Sequence, residues 1–352
     1  MASLRQLNKS GIYQQLRHAV ELRVESAAMK LPLFSAVALV CVLAAMPVNA
    51  ATLPGIPEFI DEMVAKHQFR RDELEKVFAH AQYRPDVIEA ISRPATIKPW
   101  PEYRAAFVNR KRIRLGLEFW GKYRHTLRRA EQKYGVPQEI IIAVIGVETV
   151  YGQNAGNFLV LDALTTLAFD YPRRADFFHG ELENYLLLAR QQQFDLLAVR
   201  GSYAGALGIP QFMPGSYRNY AVDFNGNHKI DLLHEDQDAI GSVANYLQGY
   251  GWIKSEPVAA RAQIGGELPV GESKTPRTVA DWAAAGVTSS VNSAPDKSAR
   301  LIDFTMEEGK EFWLAFNNFN VITRYNNSDF YAMSVFQLAE ELKAAFKADG
   351  LK

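Results

Sequence analysis

The sequence predicts an α+β protein that is predominantly helical, a helical body carrying a small antiparallel β subdomain. Three observations lead there. Apolar residues recur at helical spacing over most of residues 58–250. The stretch Gly135–Gly152 reads as one helix with no polar face, since Ile140 to Val147 are all apolar or Gly, and such a helix is a buried one. Only from about Lys254 does the texture change to short β-rich pieces, at Val258–Ala262, Leu301–Thr305 and Lys310–Phe316. A chain of 352 residues can bury a sizeable core and support two or three subdomains.

The first 50 residues read as an address. Residues 31–46 form an apolar run too short to span a bilayer comfortably, with Lys30 before it and Val48-Asn49-Ala50 after it. This is the pattern of a cleavable export signal, cut after Ala50, with residues 1–28 as an upstream extension. A retained membrane anchor is the competing reading. The only cysteine, Cys41, falls inside the run, so the exported chain has no disulfide, thiolate metal site or thiol nucleophile. Lys+Arg and Asp+Glu both number 39, and no global field points to nucleic acid or an anionic membrane.

The mature chain divides into four parts. Residues 51–102 form an N-terminal helical subdomain, with two amphipathic helices over 58–92 (Phe59, Ile60, Met63, Val64; Leu74, Val77, Phe78). Ile97-Lys98-Pro99-Trp100-Pro101 is a rigid punctuation near its end. Residues 103–253 form the core, with a long helix over 103–134, the buried helix, a helix over 174–199 and one over 237–250. The apolar positions of the 174–199 helix are Phe177, Leu182, Tyr185, Leu186 and Leu188. Residues 254–320 form the β subdomain, in which 287–299 reads as a polar loop. Residues 321–352 return to the core and end in a helix over 331–347.

Chemistry concentrates at Glu148. Pro137 suits the first helical position, Glu139 lies where the helix dipole favours an anion, and Glu148 emerges in the last turn. Burial and the negative helix terminus both disfavour its carboxylate, so its pKa should be raised, as general-acid catalysis near neutral pH requires. A Glu that reaches solvent or pairs with an Arg is the alternative. Some 55 residues later, Gly201–Gly215 (Gly-Ser-Tyr-Ala-Gly-Ala-Leu-Gly-Ile-Pro-Gln-Phe-Met-Pro-Gly) is a Gly-rich loop that lets backbone approach a ligand closely. Ser202 and Gln211 offer hydrogen bonds there, and Phe212 and Met213 an apolar floor, although either could equally belong to the core.

These segments resemble the family 3 lytic transglycosylases of the lysozyme-like fold. The similarity rests on Val147–Gly152, Tyr171-Pro172-Arg173-Arg174, Gly201–Pro214, Ala239–Tyr246 and Arg324-Tyr325-Asn326-Asn327-Ser328, which together span nearly the whole mature chain. The resemblance implies a lysozyme-like helical core and an enzyme that cleaves peptidoglycan glycan strands by intramolecular transglycosylation. Glu148 would be the sole acid and then base, and no cofactor would be needed for the chemistry. A muramidase and a non-catalytic murein-binding scaffold remain as rivals. By the same resemblance Tyr103, Ser202, Gln211, Tyr246, Asn326 and Tyr331 line the saccharide groove, though Tyr246 could be plain packing. Arg173 and Arg174 would grip stem-peptide carboxylates, or stand as a solvated pair. The protein is expected in the periplasm, as a soluble monomer with no stable membrane insertion.

The last motif is Asp223-Phe-Asn-Gly-Asn-His-Lys-Ile-Asp231. It places oxygen donors at positions 1, 3, 5 and 9 of a calcium loop, with the Lys229 carbonyl at 7. The resemblance implies a structural Ca²⁺ held by Asp223, Asn225, Asn227 and Lys229 and closed by Asp238. Two departures stand against it: His228 occupies the usual Gly at position 6, and His234 the usual Glu at position 12. A metal-free Asx-rich turn is the other reading.

Overall fold

The computed structural model describes residues 53–93, 98–266, 275–289 and 294–348, which all belong to one compact unit. The export segment and Cys41 lie outside the described residues, as do Ile97 and parts of the 254–320 region.

The N-terminal region has three helices where two were expected: α1 (Ile56–His67), α2 (Arg71–His80) and α3 (Pro85–Ser92). Gln68 turns left-handed (φ 57°) and ends α1, while Pro85 holds Arg84 extended and opens α3. The 103–134 helix is likewise two. Pro101 begins α4 (Trp100–Phe107), and Asn109, accepting a 3.0 Å bond from the Arg112 amide, caps α5 (Arg110–Tyr134). The buried helix is α6 (Gln138–Thr149), with Pro137 at the cap, one place before the first helical position.

Two helices of the core were not anticipated, α7 (Val160–Asp170) and α9 (Pro214–Tyr220), which starts at the end of the Gly-rich segment. Between them α8 (Ala175–Gln192) stops seven residues short of the expected 199, at a left-handed Gln193. Phe177, read as one of its apolar positions, is 40% exposed. The next helix is α10 (Asp236–Gly249), close to expectation. A two-residue ladder, β1 (Phe158–Leu159) on β2 (Arg200–Gly201), ties the segment after α6 to the Gly-rich loop.

The β subdomain is one five-stranded antiparallel sheet: β3 (Ala259–Ile264), β4 (Arg277–Thr278), β5 (Val287–Ser289), β6 (Ser298–Thr305) and β7 (Lys310–Ala315), in the order β4-β6-β7-β3-β5. The polar stretch 287–299 begins in β5 and ends in β6, so its described ends are paired strand and not loop. A short helix, α11 (Val279–Ala284), puts Trp282 into the core of the sheet beside Val287, Leu301 and Leu314.

The chain closes with α12 (Asn317–Tyr325) and α13 (Asp329–Ala348), two helices where one was foreseen. Helix α6 is the centre of the core. Ile141, Ile142, Val144 and Ile145 are fully buried, each contributing roughly 1.5–3 kcal/mol of apolar transfer. Around it pack α5, α10 and α13. Lys343 pairs with Glu139 at 2.9 Å, and Trp120 stacks on Phe346 at 4.1 Å, so α13 is bound to both the start of α6 and the side of α5. Among the described residues no helix is long and apolar enough to cross a membrane.

Candidate active site

Glu148 leaves the core at the last turn of α6, and the turn after the helix holds it there. Val150 (φ 52°), Tyr151 (φ 61°) and Gly152 (φ 82°) run left-handed in succession, a costly backbone for two residues with side chains. Two anchors stabilise it. The buried Thr149 hydroxyl donates to the Ile209 carbonyl at 2.7 Å and accepts from the Gly152 amide at 2.9 Å. The Tyr151 ring folds back so that its hydroxyl donates to the Arg112 carbonyl at 2.9 Å. Gly146 is required at this place, because a Cβ there would lie 2.6 Å from the Tyr151 hydroxyl.

The Glu148 carboxyl is partly buried and accepts a 2.6 Å hydrogen bond from the Tyr331 hydroxyl. Burial pushes its pKa up to about 7, with the Tyr331 bond pulling the other way. No second acid contributes among the described residues. The neighbouring phenols are held neutral: burial, then the Glu148 charge, raises the pKa of Tyr103, Tyr325 and Tyr331 alike. A carboxyl that keeps its proton near neutral pH can give it to an oxygen leaving group.

The other residues expected to line a groove lie unequally about Glu148. Tyr331 and Tyr103 sit beside Glu148, on α13 and α4. Tyr246 is buried; its hydroxyl donates to the Arg324 carbonyl at 2.7 Å and its ring lies 4.8 Å from that of Tyr325. Its role in this conformation is packing. Phe212, 1% exposed, packs behind the loop against Tyr246 and Tyr325, so the apolar surface here belongs to the half-buried Met213 and not to Phe212.

Ser202 and Gln211 shape the loop itself. The Ser202 hydroxyl accepts from the Ala204 and Ala206 amides at 3.2 and 3.0 Å. Gln211 is left-handed (φ 52°), and its amide nitrogen donates to the Gly208 and Ala155 carbonyls at 2.8 and 3.0 Å. Asn326 is exposed at the end of α12. Arg173 and Arg174 lie exposed on the 3₁₀ turn before α8, where the Arg174 guanidinium sits 4.1 Å over the Phe177 ring. Tyr325 was not singled out from the sequence. Its ring stacks on Tyr331 at 6.3 Å and 16°, and its hydroxyl donates to the Pro210 carbonyl at 2.5 Å, joining α12 to the Gly-rich loop. Its place beside Asn326 in the 324–328 motif was the available signal.

The 223–231 loop folds as successive Asx turns. Asp223 accepts from the Gly226, Asn227 and His228 amides at 2.6, 3.2 and 2.8 Å, Asn225 from the Asn227 amide at 2.9 Å, and Asn227 from the Lys229 amide at 2.9 Å. His228 takes a left-handed backbone (φ 68°), so a His adopts here the conformation that Gly supplies at position 6. Burial opposes ionisation of Asp223, but its three amide donors outweigh that and hold its pKa below the usual range. Asp238, fully buried, accepts from the Phe224, Asn225 and Asp231 amides. The side chain amides of Asn225 and Asn227 both turn to Glu235, an acid that the sequence motif does not mark. The donors are oxygens, the kind a hard cation such as Ca²⁺ takes, although among the described residues no three or more His, Cys, Asp or Glu side chains are gathered to hold a metal ion. The loop is also wired to the active site, since the Leu232 carbonyl accepts from the Ile209 amide at 2.9 Å.

Comparison with known proteins identifies the family. Residues 53–340 match the family model described as the transglycosylase SLT domain. The chain is 43% identical over 307 residues to membrane-bound lytic murein transglycosylase B of Escherichia coli, covering 84% of each chain. The soluble lytic transglycosylase SltB1 of Pseudomonas aeruginosa superposes with a TM-score of 0.78 at 45% identity, covering 84% of this chain and all of that one. Escherichia coli Slt35, solved in complex with bulgecin A, gives a TM-score of 0.79 at 42% identity over 85% of this chain and 96% of that one, and has also been solved in complex with calcium. On these matches the chain belongs to the family 3 lytic transglycosylases, peptidoglycan lyases built on a lysozyme-like core.

Proposed function

We propose that the protein cleaves the bond between N-acetylmuramic acid and N-acetylglucosamine with formation of 1,6-anhydromuramyl ends, using Glu148 as its single acid and base. The observation that supports this is the company Glu148 keeps. Its pKa is near 7, its partner is the Tyr331 phenol, and no second carboxylate acts on it among the described residues. Retaining and inverting glycosidases position a second carboxylate to attack or to activate water. Here Glu148 protonates the glycosidic oxygen, and the substrate's own acetamido group helps stabilise the oxocarbenium-like state. The resulting carboxylate then accepts the proton of the C6 hydroxyl as it closes the anhydro ring. That hydroxyl is held on the same sugar, so its effective concentration favours it over water.

Tyr103, Tyr331, Ser202, Gln211, Met213 and Asn326 line the groove, with Tyr246 and Phe212 supporting it from behind, and Arg173 and Arg174 stand at its surface. Asp223, Asn225, Asn227 and the Lys229 carbonyl would hold Ca²⁺ with Asp238 or Glu235 as the closing acid. The ion's contribution would be structural, fixing the loop that supports Ile209. A calcium complex of Slt35 favours this. The enzyme acts in the periplasm, exported by the N-terminal signal, as a soluble monomer.

Digestion of isolated murein in ¹⁸O-labelled water, followed by mass spectrometry, tests the reading. Unlabelled anhydro ends, lighter than reducing ends by one water, are expected as the main product. Label in most new muramyl ends would overturn it and make the enzyme a muramidase.

A further inference from the structure

Arg112 lies half-buried in the first turn of α5, and its side chain bridges the ends of two other helices. Nε donates to the Gly146 carbonyl at 2.9 Å, in the last turn of α6. Nη1 donates to the Ala106 carbonyl, in the last turn of α4. The guanidinium rests 5.2 Å from the centre of the Phe107 ring. The main chain of Arg112 serves the same corner, since its carbonyl receives the Tyr151 hydroxyl and its amide is capped by Asn109.

This cation stands without an acid. Burial opposes its charge, and among the described residues no carboxylate acts on it. What offsets the burial is the partial negative charge at the C-termini of α4 and α6. A guanidinium has five donors in a rigid planar fork, so it can hold two such carbonyls at a set separation. That separation matters because each helix delivers one group to the site. Tyr103 lies three residues before Ala106 in α4, and Glu148 two residues after Gly146 in α6. The two are close enough for the Glu148 charge to act on the Tyr103 phenol.

Resting on the peptidoglycan-cleaving function above, we infer that Arg112 is a positioning residue, whose guanidinium joins the last turns of α4 and α6 and so sets Tyr103 against Glu148. It acts through those two residues and takes no part in the proton transfers.

A double-mutant cycle on isolated murein tests this, with every rate divided by the folded fraction from circular dichroism. Arg112→Met and Tyr103→Ala should each lose about tenfold in kcat/KM, as small displacements of positioned groups do. Arg112→Lys, which keeps the charge without the fork, should recover part of the loss. The double variant should stay within about threefold of the weaker single variant, because the second change removes a placement already lost. A double loss of about a hundredfold, the product of the two, would overturn the inference and leave Arg112 with a structural role alone. So would parent-like rates per folded molecule in Arg112→Met or in Tyr103→Ala. If Arg112→Met does not fold, the same cycle run with Arg112→Lys decides by the same criteria. A parent enzyme that does not cut murein would defeat the underlying function, a result distinct from all of these.

Discussion

The Tyr331 hydroxyl donates a 2.6 Å hydrogen bond to Oε1 of Glu148 across 183 residues of chain. Burial raises the Glu148 pKa and this bond lowers it, so the two set the proton affinity against each other. Tyr331→Phe removes only the lowering influence. The alkaline limb of the kcat/KM profile, which marks loss of the acid's proton, should move upward from about pH 7 by on the order of one unit. A full pH–rate profile checks it; a limb that moved downward would mean the bond favours the protonated form instead.

Glu148→Gln should abolish turnover, by at least about a thousandfold, since an amide cannot deliver the proton. It should also stabilise the protein at alkaline pH. A carboxyl with a folded pKa near 7 and an ordinary value of 4.5 costs nothing below pH 4.5. The stability falls as pH rises through 7, by on the order of 3 kcal/mol in full. The variant's melting temperature should therefore exceed the parent's clearly at pH 8 and little at pH 4. Calorimetry at the two pH values reads the difference.

Thr149→Val tests the seam between α6 and the Gly-rich loop. It strips the partner of the Ile209 carbonyl in a buried place, at about 1–3 kcal/mol, and frees the Gly152 amide at the surface. Thr149→Ser should restore most of it. Chemical denaturation with both variants measures this, and kcat should fall in Thr149→Val beyond what the folded fraction accounts for.

Calcium should raise the melting temperature by mass action, and Asp223→Ala should remove that rise. With two Asn among the side chain ligands, the site carries little charge, so affinity in the millimolar range is expected. Glu235→Gln and Asp238→Asn separate the two nearby acids: the one that closes the site should weaken the calcium-dependent shift when neutralised. The same titration without added metal would show whether the Asx turns stand alone.

How much the sequence reveals depends on where each partner lies. Helix α6 shows itself because its lack of a polar face leaves only a buried role, and Glu148 shows itself as the one acid at its end. Helix α7 does not. Its Asp162, Thr165 and Thr166 look like a polar face yet are buried, because Asp162 and Thr166 accept from the Gln82 and Arg84 amides, some 80 residues earlier. The break inside 58–92 and the start of α4 are written in Pro85 and Pro101, but a helical period read across them hides both. In the site, resemblance names Tyr331, and only folding gives its bond to Glu148. Phe212 shows the opposite case, a residue with the chemistry of a sugar floor that the packing of Tyr246 and Tyr325 draws into the interior.

Because the phenol that touches Glu148 belongs to α13, the acid is not tuned until that helix has docked along α6. Synthesis proceeds from the other end, and the Gly-rich loop, the calcium-type loop and the β-sheet all precede Tyr331 in the chain. A nascent chain thus carries its reactive carboxyl for most of its length without the hydroxyl that sets its proton affinity. Competence to cut the cell's own wall arrives as one of the last acts of assembly, so any truncation that removes α13 should yield an inert protein and not a deregulated one.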